Sequence, residues 1–208
     1  MYKFSPMKAK TPWNKGKVVG PKKPLTVEQT RLIRMLLVES GDLRDLVLFC
    51  VGIDTAFRGV DLVRLKVSDV MNHGELLEFI RIVQKKTDKK VTGRISPQTQ
   101  EYLKRYIQET GKNWNDYLFT RKKGKIEGHI SEHQYRDILK RWLRQAGINP
   151  SLYGTHSLRR TKTTLIYEKT GNLRACQKLL GHSSIQNTAS YLGIEESEAL
   201  EISKNFDF

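Results

Sequence analysis

The sequence predicts a mainly α-helical domain with a small antiparallel β-hairpin, which is an α+β fold. Helix starts are marked by capping boxes at Thr26 and Ser131, and apolar residues follow each of them at helical spacing. Residues 78–84 and 91–96 are short segments with β-branched residues on either side of a lysine-rich turn, a pattern typical of two paired strands. We therefore expect helices to form most of the core and the hairpin to carry concentrated positive charge.

Two helices are predicted before the hairpin. The first begins after Thr26, and we expect four apolar residues to share its buried side: Leu32, Ile33, Leu36 and Leu37. The second covers about residues 43–55 and is largely apolar, so we expect it to lie at the centre of the core. Its end leads directly to Arg58.

Two further helices are predicted after the hairpin. The helix that follows Ser131 should stop near Gly147 and bury an apolar stripe made of Tyr135, Ile138, Leu139, Trp142 and Leu143. A later helix, which ends before His182, should be buried through Leu173, Cys176, Leu179 and Leu180. We interpret both stripes as core and not as cofactor sites.

Four short motifs occur in order along the chain. Residues 56–62 contain Arg58 with Asp61 three positions later, and residues 85–88 read Lys-Lys-Thr-Asp. Residues 155–160 read Thr-His-Ser-Leu-Arg-Arg, and residues 179–184 read Leu-Leu-Gly-His-Ser-Ser. Tyr191 follows nine positions after His182. Taken singly, these residues are solvated cations, packed histidines or a half-buried tyrosine, but their joint order favours a catalytic interpretation.

This order resembles the tyrosine recombinase (phage integrase) family, whose catalytic domain carries H-x-x-R, then L-G-H-S, then a nucleophilic tyrosine at that distance. The resemblance covers residue 24 to the C-terminus, and it implies a catalytic-domain fold of that family over residues 24–208. It also implies site-specific DNA strand exchange by integration, excision, inversion or resolution, with four subunits around two duplexes. Only some two dozen residues precede this domain, so the chain is similar in size to the short fimbrial phase-variation invertases.

The predicted catalytic residues are Arg58, Lys86, His156, Arg159, His182 and Tyr191. Two guanidiniums can grip the non-bridging oxygens of a phosphodiester, which become more negative during in-line attack, and Arg58 and Arg159 would supply them. A phenol has a pKa near 10 and needs a base, for which His156 is our candidate. His182 would hydrogen-bond the scissile phosphate.

The resemblance implies that Lys86 protonates the leaving 5′-oxygen, with Lys85, Lys89 and Lys90 as rivals. It also implies a 3′-phosphotyrosyl intermediate that is formed and religated without ATP, a metal or a cofactor. We expect Asp61 to be structural, either orienting an arginine or holding a helix start.

The charge of the chain indicates a polyanionic partner, which we take to be double-stranded DNA. Lysine and arginine number 37 against 22 acidic residues, a net charge of +15. Residues 1–23 hold seven lysines and no acidic residue, and their prolines and glycines predict an extended arm. The residues that we expect to bind DNA are Lys8, Lys10, Lys15, Lys17, Lys22 and Lys23 in the arm, Lys85 and Lys89 in the hairpin turn, and Arg121, Lys122 and Lys123 in a second basic run. A disordered solubilising tail and a solvated loop are the alternatives for the two basic segments.

Other features limit the class of protein. No apolar stretch reaches the ~20 residues of a membrane span, and no signal peptide precedes the arm, so we expect a cytoplasmic protein. Cys50 and Cys176 show no paired spacing, which argues against a disulfide or a zinc site. The acidic residues 195–208 predict a short amphipathic helix that docks either on a neighbouring subunit, as in the family, or on its own domain.

Two other functions remain open at this point. One is a DNA-binding accessory protein that acts with a partner recombinase, and the other is a topoisomerase-like enzyme that nicks and seals. Most integrases carry a separate core-binding domain that closes the clamp on DNA, so its absence before residue 24 suggests that the arm, or a host recombinase or accessory factor, replaces it.

The arm gives the first testable prediction. Each phosphate neutralised on duplex DNA contributes about −0.9 to the slope of log K against log salt, and we expect roughly half of the seven lysines to engage, or about −3 in total. Deleting residues 1–22 should therefore weaken DNA binding, and this loss of affinity should shrink as the salt concentration rises. The loss should be the same on specific and random duplexes. Binding isotherms over a range of salt concentrations measure this, and an unchanged slope would identify the arm as a solvated tail.

Overall fold

The computed structural model describes residues 22–121, 128–194 and 203–204. The predicted arm lies outside this range apart from Lys22 and Lys23, and so do Lys122, Lys123 and nearly all of the predicted C-terminal helix. The helices are α1 (Val27–Glu39), α2 (Leu43–Thr55), α3 (Gly59–Leu62), α4 (Val67–Val70), α5 (Pro97–Thr110), α6 (Glu132–Gln145), α7 (Thr155–Thr170), α8 (Leu173–Leu180) and α9 (Ile185–Leu192), with a 3₁₀ turn at Pro150–Leu152. The strands are β1 (Met71–Asn72), β2 (Glu75–Leu76), β3 (Phe79–Val83) and β4 (Lys90–Arg94).

The centre of the core is α2, as its apolar sequence predicts. Ten of its thirteen residues are buried, and it packs against α1, α5 and α7. It is capped at its C-terminus by Ala56, whose left-handed backbone (φ 53°) turns the chain, and Arg58 is then the N-cap residue of α3. The helix end therefore fixes the position of Arg58.

The first helix differs from the prediction in its buried face. It begins at Thr26 with the expected capping box, in which the Thr26 hydroxyl and the Gln29 side chain each accept a backbone N–H. The buried residues are Thr30, Ile33 and Leu37, whereas Leu32 is 37% exposed. The prediction for Leu32 was wrong because it lies 100° around the helix from Ile33, outside the stripe that the spacing of Thr30, Ile33 and Leu37 defines.

The helix α6 follows its prediction closely. Ser131 caps it through the Gln134 backbone, and all five residues of the predicted stripe are buried. The helix α8 is buried through Cys176, Gln177 and Leu180. Both cysteines are buried and free.

The predicted hairpin is formed by β3 and β4, which pair antiparallel from Phe79↔Arg94 to Val83↔Lys90. Alternation along β3 buries Ile80 and, one residue beyond the strand, Gln84. The small hairpin of β1 and β2 and the helix α5 were not predicted. None of the helices in the described ranges is both long and apolar enough to cross a membrane.

The hairpin lies against the end of α2 because residue 93 is a glycine. A Cβ added to Gly93 would come within 2.6 Å of Thr55 Cβ and 2.8 Å of Thr55 Cα, and backbone atoms cannot move aside cheaply. This close approach holds the turn after β3 beside the helix end that carries Arg58.

Gly93→Ala should therefore destabilise the domain by about 1–3 kcal/mol, as other overpacked core positions do. The gain of about 0.4–1 kcal/mol from a less flexible unfolded chain is smaller. Urea unfolding followed by circular dichroism measures the change, and Thr92→Ala, on the exposed side of the same strand, is the matched control. A Gly93→Ala protein as stable as the wild type would show that the hairpin shifts without cost.

Candidate active site

The predicted site residues come together where the ends of α2 and α8, the start of α7 and the turn after β3 meet. The start of α7 presents His156 and Arg159 three positions apart, on one face of the helix. The Ser157 hydroxyl accepts the N–H of Gly154 at 3.0 Å, which closes the first turn of the helix. The local capping thus fixes the direction in which both side chains leave the helix.

The guanidinium of Arg159 is buried, with only 2% of the residue exposed. Its Nη2 donates to the carbonyl of Leu180, while Nη1 has no hydrogen-bond partner among the residues that the structure describes. Burial lowers the pKa of Arg159 to about 10, so the group is still a cation at neutral pH. A buried cation with an unused donor is costly unless an anion binds to it.

The end of α8 supplies the carbonyl that holds Arg159. Carbonyls in the last turn of a helix lack intrahelical partners, and cations are favoured near them. Gly181 ends α8 with a left-handed backbone (φ 64°). A Cβ at Gly181 would come within 2.5 Å of Val91 Cγ1 and 3.3 Å of the Gln84 amide, so only glycine allows this approach.

His182 follows this glycine, and its ring lies against that of Tyr191 with 5.1 Å between centroids. Its Nδ1 is 3.2 Å from the hydroxyl of Thr188, which is buried in α9. Burial, and then repulsion from Arg159 and Arg58, lower the pKa of His182 to about 4. The imidazole is therefore neutral at physiological pH.

Tyr191 lies in the last turn of α9, half-buried between cations. Its ring centroid is 6.0 Å from the Arg159 guanidinium carbon and 5.4 Å from that of Arg160. Its hydroxyl donates to the backbone carbonyl of His156 at 3.4 Å. Burial raises the pKa of the Tyr191 phenol, and the arginines oppose that rise.

The imidazole of His156 lies 6.4 Å from the Tyr191 ring, measured between centroids. Partial burial and then repulsion from Arg159, Lys86 and Arg58 lower its pKa. A neutral imidazole is able to accept a proton. The Tyr191 hydroxyl nevertheless donates to the backbone carbonyl of His156 and not to a ring nitrogen.

The turn after β3 carries Lys86, whose side chain is exposed. Asp61 is buried and accepts the backbone N–H of Lys85 at 2.9 Å, and its other oxygen lacks a hydrogen bond within the described part of the chain. Asp61 thus contacts the lysine turn, a role that the sequence analysis did not consider. Lys89 lies close enough to His182 to depress its pKa.

Of the remaining predicted DNA-binding residues, Lys22, Lys23 and Arg121 lie within the described ranges. The Lys22 ammonium donates to the Ser151 carbonyl at 2.7 Å, and the Lys23 backbone donates to Leu152 at 3.2 Å. The end of the predicted arm is therefore attached to the domain beside the start of α7. Arg121 is exposed.

Two residues at the site were missed by the sequence analysis. Gln84 is 1% exposed, and its amide contacts both Arg58 and the Leu180 carbonyl. The sequence pattern that could have revealed Gln84 is its alternation with Ile80 and Ile82, which places it on the inward-facing side of β3.

Arg160 is the second of these residues, and it is also buried. Its guanidinium donates to the Lys22 carbonyl at 2.7 Å and lies over the ring of Tyr191.

No group of three or more histidine, cysteine, aspartate or glutamate side chains able to hold a metal ion occurs within the described ranges. The site combines cations, two neutral imidazoles and a phenol around Arg159 Nη1, a donor without a partner among the described residues. Such a set can bind an anionic group and attack it with an oxygen nucleophile.

Known proteins with similar sequences agree on one family. Residues 25–198 match the model described as phage integrase family. The chain is 30% identical over 171 residues to the probable integrase/recombinase YoeC of Bacillus subtilis, which covers 82% of this chain and 88% of that protein. It is also 30% identical over 164 residues to tyrosine recombinase XerD of Corynebacterium glutamicum, covering 77% of this chain and 52% of that one. The chain thus spans most of the first relative and about half of the second.

Solved structures agree on the fold. A crystal structure of XerA recombinase superposes with a TM-score of 0.71 at 22% identity, covering 97% of this chain and 68% of that one. A structure of the XerH site-specific recombinase bound to its difH substrate gives a TM-score of 0.69 at 21% identity, covering 91% and 56%. The predicted fold class is confirmed, and the match over residues 25–198 places this chain in the phage integrase family of tyrosine recombinases.

Proposed function

We propose that this chain is a site-specific recombinase that cleaves and rejoins double-stranded DNA through a 3′-phosphotyrosyl intermediate. The observation that supports this most directly is the buried Arg159 cation beside the Tyr191 ring, since its Nη1 donor has no partner in the described part of the chain. The relatives named tyrosine recombinases, and the XerH structure with its difH substrate, support the same class of reaction and double-stranded DNA as the partner.

In this proposal Arg58 and Arg159 bind the scissile phosphate. Each would donate to a non-bridging oxygen, where negative charge grows in the transition state. The two guanidiniums need little rearrangement because Gln84 and the Leu180 carbonyl already hold them. Both arginines would stabilise the negative charge on the phosphate from positions that are fixed before the substrate binds.

Tyr191 is the proposed nucleophile, and its proton must leave before or during attack. With its lowered pKa, His156 is neutral and can accept that proton after a small movement of its ring toward the phenol oxygen. The phenol oxygen then forms a bond to phosphorus while the bond from phosphorus to the 5′-oxygen breaks. Lys86 donates a proton to that leaving oxygen, so the products are a phosphotyrosyl link and a free 5′-hydroxyl.

His182 would donate a hydrogen bond to the phosphate from Nε2. In the neutral ring this requires the proton to sit on Nε2, with the Thr188 hydroxyl turned from the Ser184 carbonyl, 3.3 Å away, to donate to Nδ1 across the 3.2 Å contact. Religation reverses the same steps with a different 5′-hydroxyl and needs no external energy source.

The assembly is also a proposal. Strand exchange between two duplexes would use four subunits, and residues 195–208, most of which lie outside the described ranges, would dock either on a neighbour or on their own domain. A host recombinase or accessory factor would add DNA affinity where the arm is not sufficient. The protein would act on DNA in the cytoplasm.

The decisive test concerns the assignment of Tyr191 as the nucleophile. Tyr191→Phe should abolish covalent attachment to a nicked suicide duplex, selected by binding from a random pool, while DNA binding stays within about twofold because the packed ring is retained. Gel mobility after denaturation measures the adduct, and Tyr167→Phe is the control on another tyrosine. A persisting adduct in Tyr191→Phe would overturn the assignment. Absence of any wild-type adduct would favour the accessory protein, and supercoil relaxation without paired sites would favour the topoisomerase.

The second test concerns the general acid. Lys86→Ala should lower the cleavage rate by about 10²–10⁴-fold, the usual contribution of a positioned proton donor. A substrate with sulfur in place of the 5′-bridging oxygen should restore it, because a thiolate leaves without protonation. Single-turnover rates on both substrates measure this, with Lys85→Ala, Lys89→Ala and Lys90→Ala as matched controls. Rescue of one of these controls, and not of Lys86→Ala, would move the role to that lysine.

A further inference from the structure

We propose that Gln84 is a positioning residue that holds Arg58 in register with Arg159 and links both arginines to the lysine turn. This inference rests on the proposed function, since it concerns the same phosphate-binding site. It adds a residue outside the four motifs that the sequence analysis singled out. The proposal follows from the contacts of one buried carboxamide.

The Oε1 atom of Gln84 accepts two hydrogen bonds. One comes from Arg58 Nη1, and the other comes from the Thr87 hydroxyl at 2.8 Å. A single oxygen therefore joins the first arginine to the turn that carries Lys86. With 1% of Gln84 exposed, water cannot replace these contacts without opening the core.

The Nε2 atom of Gln84 points the other way. It donates to the Leu180 carbonyl at 3.4 Å, and the same carbonyl accepts Arg159 Nη2. A chain of contacts thus runs from Arg58 through the carboxamide and the helix end to Arg159. Two cations that repel one another are held at one separation by a neutral group.

The carboxamide suits this place better than other side chains. It offers an acceptor and a donor at opposite sides of one rigid plane and carries no charge. A carboxylate could accept from Arg58 but would neutralise it and could not donate to Leu180. The glycine at 181 leaves room for the amide, since a Cβ there would lie 3.3 Å from both of its polar atoms.

The backbone of Gln84 fixes the turn as well. Its N–H donates to the Lys89 carbonyl at 2.9 Å, and its carbonyl accepts the N–H of Asp88 at 2.9 Å. The side chain that holds Arg58 and the backbone that closes the lysine turn belong to one residue. Removing the carboxamide would therefore release the Arg58 side chain directly, whereas it would affect the lysine turn only indirectly.

The test replaces Gln84 with methionine, which keeps the volume and removes both polar atoms. Single-turnover cleavage of the nicked duplex should fall about 10- to 100-fold, the loss expected when hydrogen bonds to a charged group disappear. DNA binding should stay within about twofold, because the phosphate contacts elsewhere on the surface remain. Thr87→Val, which removes one donor to the same oxygen, should give a smaller loss in the same direction.

The matched control is Thr99→Val. Thr99 is also buried and hydrogen-bonded, at 2.9 Å to Ser96, but it lies at the start of α5 outside the site. Both variants should lower the melting temperature by about 2–4 °C. Only Gln84→Met should slow cleavage, which separates positioning from a general loss of stability.

Two readouts identify the route through Arg58. Added to Arg58→Ala, Gln84→Met should slow cleavage by no more than about fivefold, since effects within one network do not add. In solution, inorganic phosphate should shift the Arg58 Nε–Hε NMR signal of the wild type, and Gln84→Met should raise the half-saturating concentration about three- to tenfold.

The outcomes separate the two proposals. A wild type that forms the adduct together with a Gln84→Met variant that cleaves equally fast would overturn the role of Gln84 and leave the recombinase function intact. A wild type without an adduct would instead overturn the function, and the phosphate titration would then decide the role of Gln84. An unchanged half-saturating concentration at Arg58 would refute it.

Discussion

The buried charge of Arg159 is the constraint on which the site depends. A guanidinium in the protein interior is costly unless its donors are satisfied. One donor of Arg159 goes to the Leu180 carbonyl, while Nη1 has no partner among the residues that the structure describes. The end of α8 and the start of α7 must therefore stay in contact. The unmet donor defines the place for an anion before any substrate arrives, which is how an electrostatic site acts without reorganisation.

Two glycines make this arrangement possible from opposite sides. Gly93 lets the hairpin approach the backbone of α2, and Gly181 lets the end of α8 approach the hairpin. Between them lies Gln84, which contacts Arg58 and the Leu180 carbonyl that accepts from Arg159. The lysine turn is consequently anchored at its base, through Gln84 and through Asp61, while the side chain of Lys86 stays exposed. In the proposed reaction, this anchoring would let Lys86 reach the leaving oxygen without moving the two arginines.

Local sequence predicted the elements that rest on short-range chemistry. The capping boxes at Thr26 and Ser131 and the length of α2 follow from hydrogen bonds and periodicity within a few residues, and the structure agrees with them. The same spacing arguments failed at Leu32, because a pair of adjacent apolar residues does not say which of the two faces the core. The burial of Gln84 was not predicted for a related reason. A polar residue directly after a strand is normally expected in an exposed turn, and only its partners show that it is buried.

What the sequence determined by itself is the family, through the match over residues 25–198, and the side chains that we propose for the chemistry: two arginines, two histidines, a lysine and a tyrosine. Spacing along α7 also placed His156 beside Arg159. The contact between Tyr191 and His182 instead depends on the turn between α8 and α9. Only the tertiary structure decided the electrostatics, because the carbonyl that joins Gln84 to Arg159 comes from Leu180, 96 positions beyond Gln84. Burial of a charge and the lowered pKa values of both histidines depend on what surrounds each group in space, which no local pattern encodes.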